Sequence, residues 1–204
     1  GAGITGCAVA RQLSKYKLNV LGLEREDDIS CGTTKSNNGM IHSGYDSKHG
    51  SLKAEINVKG NAMHTQWAQD LHFAFKRTGS FVLAFDEKEH EVLKYYLENG
   101  TKNGVPGIAL ITGEEARKIE PNISDVAQWA LWTPSAGYVE PYEVALALME
   151  NAIDNGVQLR LGCEVYAIEQ ENKKASVLVT NQGKIRCKYI IDAAGLYADE
   201  VAKM

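Results

Sequence analysis

The sequence is poor in the features that most quickly assign a chain to a class. Its four cysteines, Cys7, Cys31, Cys163 and Cys187, lie far apart with no CxxC spacing. That argues against a zinc site, an iron–sulfur cluster or the disulfide framework of a small secreted domain. No apolar run approaches the ~18 residues that a membrane-spanning helix requires. Neither sign of charge dominates: 22 Lys and Arg against 26 Asp and Glu give −4 at pH 7. The charges are scattered, so nothing marks a nucleic-acid partner. There is no internal repeat and no low-complexity tract, and His64 has no partner at metal-ligand spacing, so no metal is expected. Scattered thiols fit a reducing cytoplasmic compartment, and peripheral attachment at the inner face of a membrane stays compatible with this composition. The 204 residues suffice for one large or two small domains.

What is present is concentrated at the start. Gly1-Ala2-Gly3-Ile4-Thr5-Gly6 leads into a helical run and then into the apolar segment Leu18 to Leu23, which ends at Glu24. A tight turn needs Gly1, close approach of the backbone to a pyrophosphate needs Gly3, and tight helix packing needs Gly6. The helix N-terminus offers unpaired N–H groups to phosphate oxygens. Glu24 stands where an acidic side chain accepts hydrogen bonds from an adenosine ribose, about 20 residues past the turn, and it disfavours a 2′-phosphate. The strand that should feed Gly1 is missing, so the sequence is expected to be a fragment.

Periodicity sets out the remainder. Ile4 to about Lys15 reads as a helix and Leu18 to Leu23 as a buried strand. A polar, glycine-rich segment from Asp27 to Gly50 is too long for a plain connection and reads as functional. Ser51 to Asp70 is a helix whose inner face would carry Leu52, Ile56, Ala62, Met63 and Trp67. Phe73 to Arg77 and Ser80 to Phe85 read as paired strands around Thr78-Gly79. Asp86 to Asn103 is an amphipathic helix, Thr112 to Glu115 has capping-box spacing, and Val126 to Thr133 alternates as a strand. Pro141 opens a helix with the stripe Val144, Ala145, Leu148 and Ile153, followed by a short strand at Val157 to Leu161. Val165 to Glu171, Ala175 to Thr180 and Lys184 to Cys187 form a meander with turns at Asn172-Lys173 and Asn181-Gln182-Gly183. Tyr189 to Gly195 reads as a buried strand meeting a glycine turn, and Tyr197 to Lys203 as a helix.

Read as a set, these segments resemble the FAD-dependent oxidoreductases of the D-amino-acid-oxidase and glycerol-3-phosphate-dehydrogenase type. The resemblance rests on the glycine turn with Glu24, the block Thr34-Lys35-Ser36-Asn37-Asn38-Gly39-Met40-Ile41-His42-Ser43-Gly44, and Phe75-Lys76-Arg77-Thr78-Gly79-Ser80. It rests also on Gly137-Tyr138-Val139-Glu140-Pro141 and on Asp192 to Asp199. It implies an α/β fold with an α+β insert, truncated at both ends. A Rossmann-like FAD-binding domain would occupy 1–70 and 138–204, and part of an antiparallel-sheet substrate domain would occupy 71–137. Gly1, Gly3, Ile4, Thr5 and Gly6 would cradle the FAD pyrophosphate, Glu24 would hold the ribose, and Arg25 would flank the adenine. Thr33, Thr34 and Ser36 would offer hydroxyls to phosphate or ribityl oxygens, and Asn38, Gly39, Met40 and Ile41 would run beneath the isoalloxazine. Val165 would meet the adenine, and Ala194 with Gly195 would let the chain pass close to the cofactor.

The implied activity is oxidation of a small hydroxylated anion, glycerol 3-phosphate by preference, with electrons passed to a quinone, a protein or oxygen. A 2-hydroxy acid, an amino acid or an amine is the alternative substrate on the same scaffold. His42 is the candidate base, because imidazole titrates nearest neutrality, or else it only hydrogen-bonds cofactor or backbone. Tyr45, Lys53 and His49 are candidates to meet the anion. Arg77 is either a fork for phosphate or carboxylate or a charge at a sheet edge. An NAD-dependent dehydrogenase is disfavoured by the long loop after Glu24, and an inactive fragment or nucleotide-binding module is the non-enzyme reading.

Overall fold

The computed structural model describes residues 1–171 and 174–204, with side chains outside 171–176. In chain order the first elements are α1 (Ile4–Ser14), β1 (Leu21–Leu23), β2 (Met40–Ile41), α2 (Leu52–Leu71), β3 (Phe75–Lys76), β4 (Ser80–Ala84) and α3 (Glu87–Asn103). There follow β5 (Ala109–Thr112), α4 (Gly113–Ile119), β6 (Trp129–Thr133), β7 (Gly137–Val139), α5 (Pro141–Asp154) and β8 (Gln158–Arg160). The last are β9 (Val165–Glu171), β10 (Lys174–Thr180), β11 (Gly183–Arg186) and α6 (Ala198–Val201). Two compact units result, one formed by Gly1–Asn38 with Glu140–Met204 and the other by Gly39–Val139. Helix α2 lies in the second of these units.

In the first unit β1 and β8 pair in parallel, with Leu21 opposite Gln158 and Leu23 opposite Arg160. Helix α1 packs on α5, where Pro141 pre-sets the first turn and Val144, Ala145, Leu148, Met149 and Ala152 are buried. Ile153, expected on that inner stripe, is exposed. It lies one residue past Ala152, and so about 100° round the helix from the buried face. The antiparallel meander of β9, β10 and β11 forms as expected, Val179 standing opposite Ala167 and Lys184. Its first turn, at Asn172-Lys173, lies outside the described residues.

One strand expectation in this unit is shortened and one is not met. Leu18 is exposed and β1 begins only at Leu21. Tyr189 to Gly195 forms no strand: Tyr189 is 88% exposed, Ile191 is exposed, and no described strand pairs with them. An apolar run becomes a strand only where a neighbour takes up its backbone donors and acceptors.

The second unit holds two antiparallel three-stranded sheets, ordered β2-β7-β3 and β4-β6-β5. The hairpin expected between Phe73 to Arg77 and Ser80 to Phe85 is not formed, since β3 pairs with β7 and β4 with β6. Gly79 is the cause. It adopts φ +70, its N–H donates to the Ala136 carbonyl at 3.0 Å, and the Trp132 ring occupies the place of a Cβ. The chain is thereby carried from one sheet to the other. Ala84, Leu93 and Leu131 form a core that Trp129, Ile108 and Leu97 cover. Thr112 and Glu115 complete the capping box of α4. Helix α2 departs most from its pattern: Leu52, Ile56, Ala62 and Met63 are exposed, and the helix buries Ala54 and Asn61 instead. Of the expected face Trp67 is half-buried, and Val58 and Leu71 are too, so the inner side of α2 combines apolar residues with the polar anchor Asn61. Among the described residues no helix is long and apolar enough to cross a membrane.

Candidate functional site

The glycine turn is built almost entirely from backbone groups. A Cβ on Gly1 would lie 2.5 Å from the Ala193 carbonyl oxygen, and one on Gly6 would collide with the carbonyl oxygen of Gly1. The two glycines therefore interlock, Gly6 against Gly1 and Gly1 against the segment that ends in Ala194 and Gly195. Gly195 itself needs φ +60, a conformation that glycine adopts without steric cost. A Cβ on Gly3 would meet only the Thr34 hydroxyl, at 3.1 Å.

Helix α1 has no side-chain cap at Gly3, so its first-turn N–H groups must find partners elsewhere. The Thr34 hydroxyl accepts from Ile4 at 3.0 Å. The N–H groups of Thr5 and Gly6 have no partner among the described residues. Two aligned donors at the positive end of a helix dipole form a cradle for phosphate oxygens. Glu24 lies against the same turn: one carboxylate oxygen accepts from Ala2 N–H at 2.6 Å and the other from Glu26 N–H at 3.1 Å. Each oxygen keeps a further lone pair for a ribose hydroxyl. The cradle, the acid and the glycines of this unit thus fit the pyrophosphate and ribose of a dinucleotide.

Around the turn, Cys7 is buried and its thiol donates to the Ala2 carbonyl at 3.3 Å. Burial first, then the nearby Glu24 charge, push that thiol up to about 12, so it stays protonated and inert. Ser30 sits at φ +59, donates its N–H to the Ala2 carbonyl, and buries a hydroxyl with no protein partner among the described residues. No sequence signal singles it out. Thr33 opens a 3-10 turn over Thr33–Lys35, and the exposed Ser36 hydroxyl reaches the Gly32 carbonyl at 3.4 Å. Asn38 is exposed. The Arg25 guanidinium lies 4.1 Å from the Tyr197 ring centroid, and Val165 opens β9 opposite Thr180.

The second unit carries the other candidates. Gly39 is buried at φ +67, and its carbonyl accepts from Val139 N–H. Met40 and Ile41 pair with Tyr138 and Gly137. His42 follows at once, exposed, with no described hydrogen-bond partner for its ring. From His42 to His49 there is no ladder, and asparagine side chains take up the carbonyls. Asn61 donates to His42 O at 3.0 Å, Asn99 to Tyr45 O at 2.6 Å and Ser47 O at 2.8 Å, and Asn103 to Gly44 O at 2.9 Å and Ser47 O at 2.7 Å.

Tyr45 turns its ring into the core, edge-on to Tyr96 at 5.3 Å, and burial raises its hydroxyl above the ordinary tyrosine value. The Arg77 guanidinium spends all five donors on Asn61 Oδ1, Asn61 O, Ser135 O and, twice, the Thr65 hydroxyl. In this arrangement no donor is left over for a substrate anion. Asn61, Thr65, Ser135, Asn99 and Asn103 had no motif to mark them. His49 and Lys48 line a cleft of about 330 Å³ with Tyr95, Glu98, Asn99 and Lys102. Among the described residues no cluster of His, Cys, Asp and Glu could hold a metal ion.

Comparison with known proteins gives the context. The family model described as DAO, FAD dependent oxidoreductase, matches residues 1–204. A glycerol 3-phosphate dehydrogenase from Caloramator mitchellensis is 44% identical over the whole chain, which spans 42% of that protein. The human mitochondrial L-2-hydroxyglutarate dehydrogenase is 33% identical, again over the whole chain and 46% of its own length. Among solved structures, the dithionite-reduced L-alpha-glycerophosphate oxidase of Mycoplasma pneumoniae with FAD bound superposes with a TM-score of 0.92. It is 29% identical, over 100% of this chain and 54% of that one. The chain thus spans about half the length of the relatives it matches.

Proposed function

Because this chain belongs to the FAD-dependent oxidoreductase family, whose model its whole length matches, we propose that the protein carrying it oxidises a small hydroxylated anion, glycerol 3-phosphate first. The observation that carries the substrate is the 44% identity to a glycerol 3-phosphate dehydrogenase across every residue of the chain. The second reading, a 2-hydroxy acid such as 2-hydroxyglutarate, is favoured by the 33% identity to the human enzyme. FAD is the cofactor, and when bound it supplies the two-electron acceptor for a hydride from the hydroxyl-bearing carbon.

The residues divide the remaining work. The free N–H groups of Thr5 and Gly6 bind the pyrophosphate, and Glu24, already aligned by Ala2 and Glu26, orients the ribose. The Thr34 hydroxyl holds the turn by accepting from Ile4 and can donate its own proton to a phosphate oxygen. His42 takes the proton of the substrate hydroxyl on a ring nitrogen that no described protein group occupies. The ladder that fixes Met40 and Ile41 fixes the backbone that presents it. Electrons leave to a quinone, a protein or oxygen, and peripheral association with a membrane belongs to the first of these.

The test is reduction of the full-length protein's flavin without oxygen. Glycerol 3-phosphate is expected to bleach the visible flavin band within the time of one turnover, and L-2-hydroxyglutarate is expected to leave it unchanged. The reverse result would replace the first substrate by the second.

A further inference from the structure

At one end of the β2-β7-β3 sheet three strands run out together. β2 stops before His42, β3 stops before Arg77, and β7 starts just after Ser135 and Ala136. Beyond the ladder, the carbonyls of His42 and Ser135 need donors, since an unpaired buried carbonyl costs about 1–3 kcal/mol. Asn61 of α2, only 6% exposed, supplies both: its amide donates to His42 O at 3.0 Å and to Ser135 O at 2.9 Å. Its own oxygen accepts from Arg77 at 2.9 Å, so both N–H groups and the oxygen of that amide are engaged at the sheet end. Among the described residues Arg77 has no carboxylate partner there. It binds only neutral acceptors, including the Asn61 backbone carbonyl at 3.0 Å and the Thr65 hydroxyl at 3.0 Å.

We propose that Asn61 is a positioning residue for His42, held in place by Arg77, so that the Asn61–Arg77 clip sets the direction from which the imidazole leaves the end of β2. Three observations carry the assignment. The clip grips His42 by its backbone and leaves the ring ungripped and exposed. Asn61 is buried on α2 while the large apolar residues Leu52, Ile56 and Met63 of that helix face outward, so this contact helps to seat α2 beside the half-buried Val58, Trp67 and Leu71. And Arg77 spends two donors on Asn61 and the other three on Ser135 O and Thr65 Oγ1, which assigns that arginine to this end of the sheet and not to the substrate. The proposal rests on the reading of His42 as the group that takes the substrate proton.

A double-mutant cycle on the full-length, flavin-loaded enzyme separates the two. Because Asn61 holds a backbone carbonyl, its contact survives in His42→Asn, and the cycle asks whether the imidazole is what the contact serves. Misplacing a catalytic group by about 1 Å can cost on the order of 100-fold. Asn61→Ala is therefore expected to lower kcat by about 10- to 100-fold with KM changed less than about threefold, and to have less than about a threefold further effect in the His42→Asn background. Asn61→Asp keeps the shape, loses both donations and adds a partner for Arg77. It should fold at least as well as Asn61→Ala and lose kcat to a similar extent. Equal losses from Asn61→Ala in both backgrounds, or an Asn61→Asp enzyme with undiminished kcat, would overturn the positioning role while leaving His42 in place. A His42→Asn enzyme with undiminished kcat would instead sink the reading of His42, and the clip's role with it.

Discussion

The two compact units solve the same problem, unsatisfied backbone groups at a functional edge, with opposite materials. In the first, the glycine turn brings backbone against backbone: Gly6 against Gly1, Gly1 against Ala193, with the Thr5 and Gly6 donors without a partner among the described residues. In the second, the edge after β2 is closed by side chains reaching from helices, Asn61 from α2 and Asn99 with Asn103 from α3. A backbone device must be written as glycine at fixed spacing, because nothing else fits. A side-chain device can be written by one asparagine anywhere that faces the edge. The first is rigid toward substitution at the glycines, and the second is rigid only at its amides.

The comparison can be broken most forcefully at Gly6. In Gly6→Ala the new methyl has no room beside the Gly1 carbonyl, so the turn must open, at about 1–3 kcal/mol for overpacking of this kind. Flavin content of the purified protein is expected to fall at least about tenfold, the fold-change to which about 1.4 kcal/mol corresponds; full flavin occupancy would show that the turn tolerates a side chain. Next in size is Asn99→Ala, which strips donors from Tyr45 O and Ser47 O and an acceptor from His49 N–H. It is expected to lower the unfolding free energy by about 2–4 kcal/mol in denaturant titration while leaving the nucleotide turn's flavin content unchanged. Loss of flavin at full stability would reverse the division of labour between the units.

Thr34→Val sharpens the comparison at the one point where a side chain serves the backbone turn. It removes the acceptor for Ile4 N–H, and a missing helix cap costs about 1 kcal/mol, or several-fold in FAD affinity. Thr34→Ser should restore it. The smallest effect concerns His64 on α2. Burial, then the nearby Arg77 charge, hold its pKa below the ordinary imidazole value, while its Nδ1–H donates to Gly60 O at 2.7 Å. The folded protein therefore binds fewer protons than the unfolded chain just below pH 6.5, so stability is full above that pH and declines as pH falls toward the folded value. His64→Gln is expected to flatten that part of the stability profile, read by thermal melts from pH 7.5 to 5.

How far the sequence was legible follows the same division. The turn at Gly1 to Gly6, α1, the cap and box at Thr112 and Glu115, Pro141 with α5, and the meander of β9 to β11 all obey local rules of spacing and conformation. The failures are long-range. Nothing local says that Gly79 diverts β3 and β4 into different sheets, because the Trp132 ring that occupies its Cβ position comes 53 residues later in the chain. Nothing local says that Tyr189 to Gly195 finds no ladder partner. The apolar spacing on α2 placed Leu52, Ile56, Ala62 and Met63 inward, whereas these are exposed and the helix buries Asn61, whose partners lie 16 to 74 residues away. At the candidate site the tight turn at Gly1 to Gly6 was readable from its glycine spacing. The donors and acceptors that hold His42 and Arg77 were not, since an asparagine carries no spacing rule.

The central claim is that the backbone turn of the first unit holds a flavin dinucleotide. The most direct measurement is the visible spectrum of the full-length protein, purified without added cofactor, followed by release and identification of whatever absorbs. About one FAD per chain is expected, the stoichiometry of a single dinucleotide turn. A folded protein that is colourless and stays so after incubation with FAD would contradict it.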